Sequence, residues 1–494
     1  MFVFVQGACP WLDEHVKSYI RHHVPEATFV DDFDKFPTSA PTVFQFCDGW
    51  ELNRNFAVLN RSSTALINAY PNSDALARKD YLSKVVEYWT AKHPDSILKE
   101  HSPLTVRLSL DYAEYVDDAL AAADDLTLLY SLEENTEKAV SEREWWILKP
   151  ALVDGGTGIR IFSTMEELAS NLELVEYDID EDDEDDDEGG DEDGTEDQDE
   201  DEIGKRDQTS NKKTISSPGY GDLNGFPLTL SNPGLDGLDG LIGATGTMSL
   251  NGSFGKKPMK EQYVFKENGR IPSAQMREFV AQRYIVSIPP LEGRKWHARV
   301  YVLSIGRLKV HVFREMLALL ALEAYEPPWD KPSLKSSLTN TALQDEDEFV
   351  SKESMRDFWA TPDDLLPGDW KENVFNQICE ISAELFRAAA HTMADKFTTM
   401  DKCFELFAVD FLVDASGSAW LLEVNETPAF YEQGVAGPLS LRLMESVICV
   451  AMEHMGKAVV GDVRNATARA RMVEVLDETE RLAKSNITEI LPET

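Results

Sequence analysis

The sequence predicts an α+β protein: a small N-terminal α/β unit followed by two larger units of mixed strands and helices. Three features predict it. Over the first 70 residues short apolar runs alternate with a single helical pattern. Near the other end, "FELFAVDFLVD" and "AWLLEVN" face each other across the turn "ASGS", a strong hairpin signal, with a long amphipathic segment on either side. Between these regions the composition turns abruptly acidic and glycine-rich, and strand-like sequence resumes beyond it.

In order along the chain, "MFVFVQ" and "TVFQF" read as strands around the helical pattern "WLDEHVKSYIRHH". "DALARKDYLSKVVEYWTAKH" places Leu76, Leu82, Val85, Val86 and Trp89 near helical spacing and opens the next unit. "EWWILKP" reads as a strand, "DGGTG" as a turn and "IRIF" as a second strand. The acidic and Gly-rich stretch 176–260 is expected to be a disordered insertion, because it holds too little apolar surface to order itself. Strands are expected at "RYIVSI", "HARVYVLSIG" and "RLKVHVF", then a long helix at "VFNQICEISAELFRAAAHTMADKF". After the hairpin come the helix "LSLRLMESVICVAMEHM" and a polar helix from about 462 to 486. The expected division is 1–75, 76–286 with the insertion, 287–460, and a helical tail over 461–494.

Composition narrows the function class. The net charge is −42, and residues 176–202 supply 20 acidic side chains and no basic ones. The remainder is moderately acidic, so no general nucleic-acid surface is expected. Five cysteines without a CxxC pair read as free thiols of a reducing compartment. "MFVFVQGACPW" lacks the basic start and the apolar length of a signal peptide, and no run reaches the roughly 18 apolar residues of a membrane helix. The expectation is a soluble protein of the cytoplasm, with no membrane partner.

Two motifs carry chemistry. In "WLLEVNETPAF" Glu423 and Asn425 lie two residues apart in a strand, so both point to one face. Asp410, among apolar neighbours in the pairing strand, needs a cation or a donor. Together the three make an oxygen cluster suited to Mg²⁺ bridging ATP phosphates; a carboxylate satisfied by a local backbone donor is the plainer alternative. Lys149 ends an apolar strand just before Gly155, Gly156 and Gly158, whose backbone N–H groups are able to meet phosphate oxygens. A lysine reaching solvent beside an ordinary glycine turn explains that motif about as well.

The order Lys149–glycine loop, "QRYI", "GRKWHARVYVL", "FRE", "SLTNTALQ", "FELFAVDFLVD" and "WLLEVNETPAF" resembles the tubulin–tyrosine ligase-like family of ATP-grasp enzymes, as does "NAYPNSDALARKDYL" upstream. The resemblance runs discontinuously from about 67 to 450 and implies an ATP-grasp fold with a C-terminal metal-bearing domain. More narrowly, the chain is similar to the ligase-like half of a fungal protein associated with mRNA-decay bodies, which implies mRNA-decay factors as partners.

The resemblance implies that Lys149 binds ATP phosphates while Gly156, Thr157 and Gly158 close over them. Gln282, Arg283, Tyr284 and Ile285 match the linker that reads adenine. Asn340 matches a residue near the phosphates, and Asp410, Glu423 and Asn425 match the metal ligands. Lys295, Arg299 and Arg314 match basic positions that hold the substrate carboxylate and the transferring phosphoryl group. The implied activity is ATP- and Mg²⁺-dependent addition of an amino acid to an acidic protein tail such as tubulin's, through an acyl phosphate. The alternative is an ATP-binding scaffold in an mRNA-decay or cytoskeletal assembly. The chain departs from the family at His297, where Asp is usual, at Ser337, where His is common, and at Leu319 and its apolar neighbours, where an arginine is usual. These departures spare the ATP and metal set and touch the acceptor side.

Overall fold

The computed structural model describes residues 1–7, 9–36, 42–47, 56, 59–112, 115–152, 158–173, 277–330, 333–339, 353–459 and 461–481. The insertion expected over 176–260 lies outside the described residues.

The N-terminal unit contains β1 (Phe2–Gln6), α1 (Pro10–His23), β2 (Thr28–Val30), β3 (Val43–Cys47) and β4 (Leu66–Asn68). The strands form a parallel sheet in the order β2-β1-β3-β4. Pro10 occupies the first turn of α1, where its missing N–H costs no hydrogen bond. Leu12, Val16, Tyr19 and Ile20 then bury one stripe at helical spacing.

Next come α2 (Asp74–Ala77), α3 (Lys79–Lys92) and α4 (Leu98–His101). The amphipathic run beginning at Asp74 is broken at Arg78, whose ψ of 125° is extended. Lys79 therefore opens a new helix.

The chain then builds a four-stranded antiparallel sheet from β5 (Thr105–Ser109), α5 (Val116–Ala121), α6 (Thr127–Asn135), β6 (Trp146–Pro150), β7 (Arg160–Phe162), α7 (Met165–Glu173) and β8 (Glu278–Arg283). Its order is β5-β8-β6-β7. One face packs Val106, Trp146, Leu148, Phe279 and Ala281 against Leu120, Leu128, Leu132 and Leu168 of the helices. Strand alternation turns Ile147, Lys149, Val280 and Gln282 to the opposite face. The strand expected over "RYIVSI" ends at Arg283, and the residues beyond it form an irregular linker.

The remaining elements are β9 (Arg294–Ile305), β10 (Lys309–Phe313), β11 (Leu317–Ala324), α8 (Leu334–Ser337), β12 (Met355–Asp357), α9 (Trp370–Thr392), β13 (Phe404–Val413), β14 (Ala419–Asn425), α10 (Ala436–His454), α11 (Val463–Ala470) and β15 (Met472–Asp477). β9 is the axis of a seven-stranded sheet: β13 pairs along one edge, while β10 and β11 divide the other. β14 extends β13, β15 extends β10 and β12 extends β11. On one face Val300 and Val302 share a core with Ile378, Ile381 and Leu385 of α9. On the other, Tyr301 and Leu303 meet Leu443 and Val447 of α10. Because both faces are covered, every residue of β13 is buried, which is why its sequence reads as a nearly unbroken apolar run. Gly306, at φ 67°, makes the β9–β10 turn, and a Cβ there would lie 2.9 Å from His454 Cε1.

The expectation of a polar helix over about 462–486 does not hold. The segment is helical only to Ala470, and Met472–Asp477 pairs with β10 instead. It covers an edge that β10 would otherwise leave open. β11 is a further strand, formed by the apolar run around Leu319. Among the described residues no helix is long and apolar enough to cross a membrane.

Candidate functional site

Register brings the charged residues together. Asp410 on β13 lies opposite Arg299 on β9 and opposite Glu423 on β14, so three strands carry the row Arg299–Asp410–Glu423. Arg299 donates to Asp410 in a fork, Nε to Oδ1 at 3.0 Å and Nη2 to Oδ2 at 2.8 Å. His297, two residues back on the same face, sets Nε2 3.5 Å from Asp410 Oδ1 and Nδ1 2.5 Å from Thr339 Oγ1. Asp410 is only 2 % exposed. Burial pushes its carboxyl up, but Arg299 and then His297 outweigh that and hold it well below the usual carboxylate range. Burial likewise works against the Arg299 cation, and Asp410 more than restores it.

Cations from three elements face this row: Lys149 of β6, Lys295 of β9 and Lys79 of α3. Lys149 Nζ donates to Gln282 Oε1 at 2.9 Å. Burial lowers the Lys149 ammonium to about 8, partly offset by Glu423 and reinforced by the neighbouring charges of Lys79 and Lys295. Lys295 sits 3.9 Å above the Tyr284 ring, and burial lowers it to about 7. Lys79, at the start of α3, brings Nζ to 3.8 Å from Glu423 Oε2. Three ammonium groups and two carboxylates thus converge where the linker after β8 passes between the two sheets. A cavity of about 70 Å³ among them is lined by Ile147, Ile159, Tyr284, Ile285 and Leu338 on its apolar side, with Lys149, Lys295, Asp410 and Glu423 at its polar end.

The structure unites Lys149, Gln282, Tyr284, Ile285, Lys295, Arg299, Asp410 and Glu423. Asn425 lies one pleat beyond Glu423 on the same face, its Nδ2 3.5 Å from Ala408 O. Gly158 is left-handed at φ 73°, as a glycine turn between β6 and β7 requires. The Arg283 side chain turns outward to Glu144 at 2.5 Å. Arg314 stands apart: its guanidinium packs over Trp359 and Phe375 and pairs with Glu372 at the α9 face of the sheet. Gly156, Thr157 and Asn340 lie outside the described residues. Sequence reasoning missed Lys79 and Thr339. "ARKD" carried a signal, a basic residue at a helix start, but only the fold shows that it reaches Glu423.

Among the described residues no group of three or more His, Cys, Asp or Glu side chains forms a metal site. Mg²⁺ does not need one, since it is usually held by one or two carboxylates together with substrate phosphates and water. Glu423 and Asn425 supply hard oxygens, and each Asp410 oxygen, with one Arg299 bond, keeps a lone pair. The donor set fits a Mg²⁺ completed by phosphates rather than a closed protein cage.

The sequence profile of the Tubulin-tyrosine ligase family matches residues 58–188 and 256–464. A "Probable tubulin--tyrosine ligase" of Schizosaccharomyces pombe is 35% identical over 378 residues, covering 76% of this chain and 74% of that protein. The "Probable tubulin--tyrosine ligase PBY1" of Saccharomyces cerevisiae is 28% identical over 429 residues, covering 84% of this chain and 47% of that protein. Among solved structures, the C-terminal domain from K. lactis Pby1, an ATP-grasp enzyme interacting with the mRNA decapping enzyme Dcp2, superposes with a TM-score of 0.56 at 22% identity, covering 96% of this chain and 98% of that one. That likeness shows the ATP-grasp fold.

Proposed function

Because the chain belongs to the tubulin–tyrosine ligase family, we propose that it is an ATP- and Mg²⁺-dependent ligase that joins an amino acid to an acidic protein tail through an amide bond. The observation that carries this reading is the convergence of Lys79, Lys149 and Lys295 on the Asp410–Glu423 pair. Three cations suit a triphosphate, and the apolar slot of Ile147, Ile159 and Leu338 beside Tyr284 suits a flat base. Bound Mg²⁺, held by Glu423 and Asn425 with Asp410, would neutralise phosphate charge.

In this reading a carboxylate oxygen of one substrate attacks the γ-phosphorus, and the β–γ oxygen leaves with ADP. The amine of the other substrate then attacks the acyl carbon, inorganic phosphate departs, and the amine gives up a proton. Lys149, Lys79 and Lys295 together hold the nucleotide's phosphates and the transferring phosphoryl group. Arg299, locked by Asp410, presents its remaining N–H groups at a fixed angle to a substrate carboxylate. The chemistry asks for positioning and charge, and for no protein nucleophile. Radiolabelled amino-acid incorporation into a cell extract tests it. Glu423→Gln should lower incorporation by about 100-fold or more with unchanged thermal unfolding; full incorporation by that variant removes Glu423 from the site.

A second reading rests on His297, whose Nε2 lies 3.5 Å from Asp410 Oδ1 beside the Arg299–Asp410 pair, where the family usually has Asp. Here the chain binds ATP without transferring anything and serves as a scaffold in a cytoplasmic mRNA-decay or cytoskeletal assembly, in keeping with the Dcp2 interaction of the K. lactis protein. ATP binding without incorporation, in extracts containing tubulin, would favour it.

A further inference from the structure

A second cavity, of about 580 Å³, backs onto the nucleotide slot and shares Lys149, Gln282 and Leu422 with it. Its volume falls within the roughly 300–1,000 Å³ of small-molecule sites. Seven segments line it: α3, α4 with the residues after it, β5, residues 124–126, β6, β8 and β14. Leu82, Val86, Leu98, Val280 and Leu421 make its walls apolar. Into this space Lys149 presents a desolvated ammonium whose hydrogen bond goes to the neutral Gln282. The Ser102 hydroxyl, also in the lining, is buried without a hydrogen-bond partner among the described residues. Arg107 is already satisfied by Glu87 at 2.6 Å and Ser83 at 3.1 Å. The rest of the charged lining is mixed: Lys79, Lys99 and Arg107 stand beside Glu87, Asp124 and Asp125.

We propose that this cavity is a regulatory site for an amphipathic monoanion, whose head group takes Lys149 from the far side and whose apolar body lies against the leucines. The inference rests on the reading of Lys149 as a phosphate ligand. One ammonium cannot serve two anions on opposite sides of the Lys149–Gln282 wall. Occupancy of the outer cavity therefore weakens nucleotide binding, and by linkage the nucleotide weakens the monoanion equally. The class that fits is a medium-chain carboxylate: one negative charge for the Lys149 ammonium, and a chain long enough to cover the apolar wall of Leu82, Val86, Leu98, Val280 and Leu421.

Calorimetric titration of the full chain tests this with octanoate as probe and octanamide as its uncharged control. Octanoate is expected to bind in the absence of nucleotide, octanamide at least about tenfold more weakly, and saturating octanoate should raise the ATP dissociation constant about tenfold. Val86→Trp, which fills the cavity from α3, should abolish octanoate binding while leaving ATP affinity unchanged. Leu104→Trp, at an exposed rim position, repeats the test should Val86→Trp fail to fold. Octanoate that binds equally well to a folded filled-cavity variant, or that leaves ATP affinity untouched, overturns the proposal. Failure of ATP to bind without octanoate overturns the nucleotide reading instead, so the two failures are distinct.

Discussion

Lys149 and Lys295 are buried ammonium groups in a slot with few neutralising contacts, and that sets the protein's response to pH. Burial holds them at about 8 and about 7, whereas each returns to 10.5 when unfolded. Between about pH 7 and pH 10 the unfolded chain therefore binds more protons than the folded one, so these lysines make stability rise with pH in that window. Nucleotide affinity runs the other way, because the deprotonated amine no longer attracts phosphate. Urea unfolding of the nucleotide-free protein should show a midpoint that climbs across this window, and Lys295→Met should flatten the climb. An equal climb in the variant would place the titration elsewhere. Asp410 differs in kind. Its forked bond to Arg299 keeps it ionised throughout, so the row across β9, β13 and β14 does not titrate in this range.

At the scale of elements, the sequence was most readable where burial is symmetric. β13 shows a nearly continuous apolar run, the β13–β14 turn carries its own polar and glycine residues, and α9 keeps an apolar stripe over six turns. β15 was not readable, because "MVEVLD" continues from an alanine-rich helix without a break and only the open edge of β10 makes it a strand. The same holds for Arg314. One step of alternation beyond Val312 carries it to the α9 face, away from Arg299, and no motif records on which face of a sheet a residue falls. Removing residues 471–494 should therefore cost more than a surface tail would. It strips Leu476 and Met472 from two cores and bares the β10 edge. The expected result is a clearly lower urea midpoint and a tendency to aggregate; an unchanged midpoint would mean that β15 contributes nothing to the sheet.

For the whole molecule, the arrangement that matters is two sheets meeting at one irregular linker. The antiparallel sheet supplies Lys149 and Gln282, the seven-stranded sheet supplies Lys295, Arg299, Asp410 and Glu423, and α3 adds Lys79 from a third direction. Sequence motifs located Glu423 and Lys149 because each sits near a strand end with a distinctive neighbour, and Asp410 because it interrupts an apolar strand. The convergence of Lys79 is tertiary and left only a faint local mark. If this convergence exists to hold ATP, calorimetric titration of ATP into the wild-type chain and into Lys149→Ala, each with and without Mg²⁺, is the decisive measurement. One ATP per chain is expected, with dependence on Mg²⁺ and a loss of affinity of about tenfold or more in Lys149→Ala. Equal ATP affinity in both proteins, regardless of Mg²⁺, would mean that the three lysines and two carboxylates are not a nucleotide site.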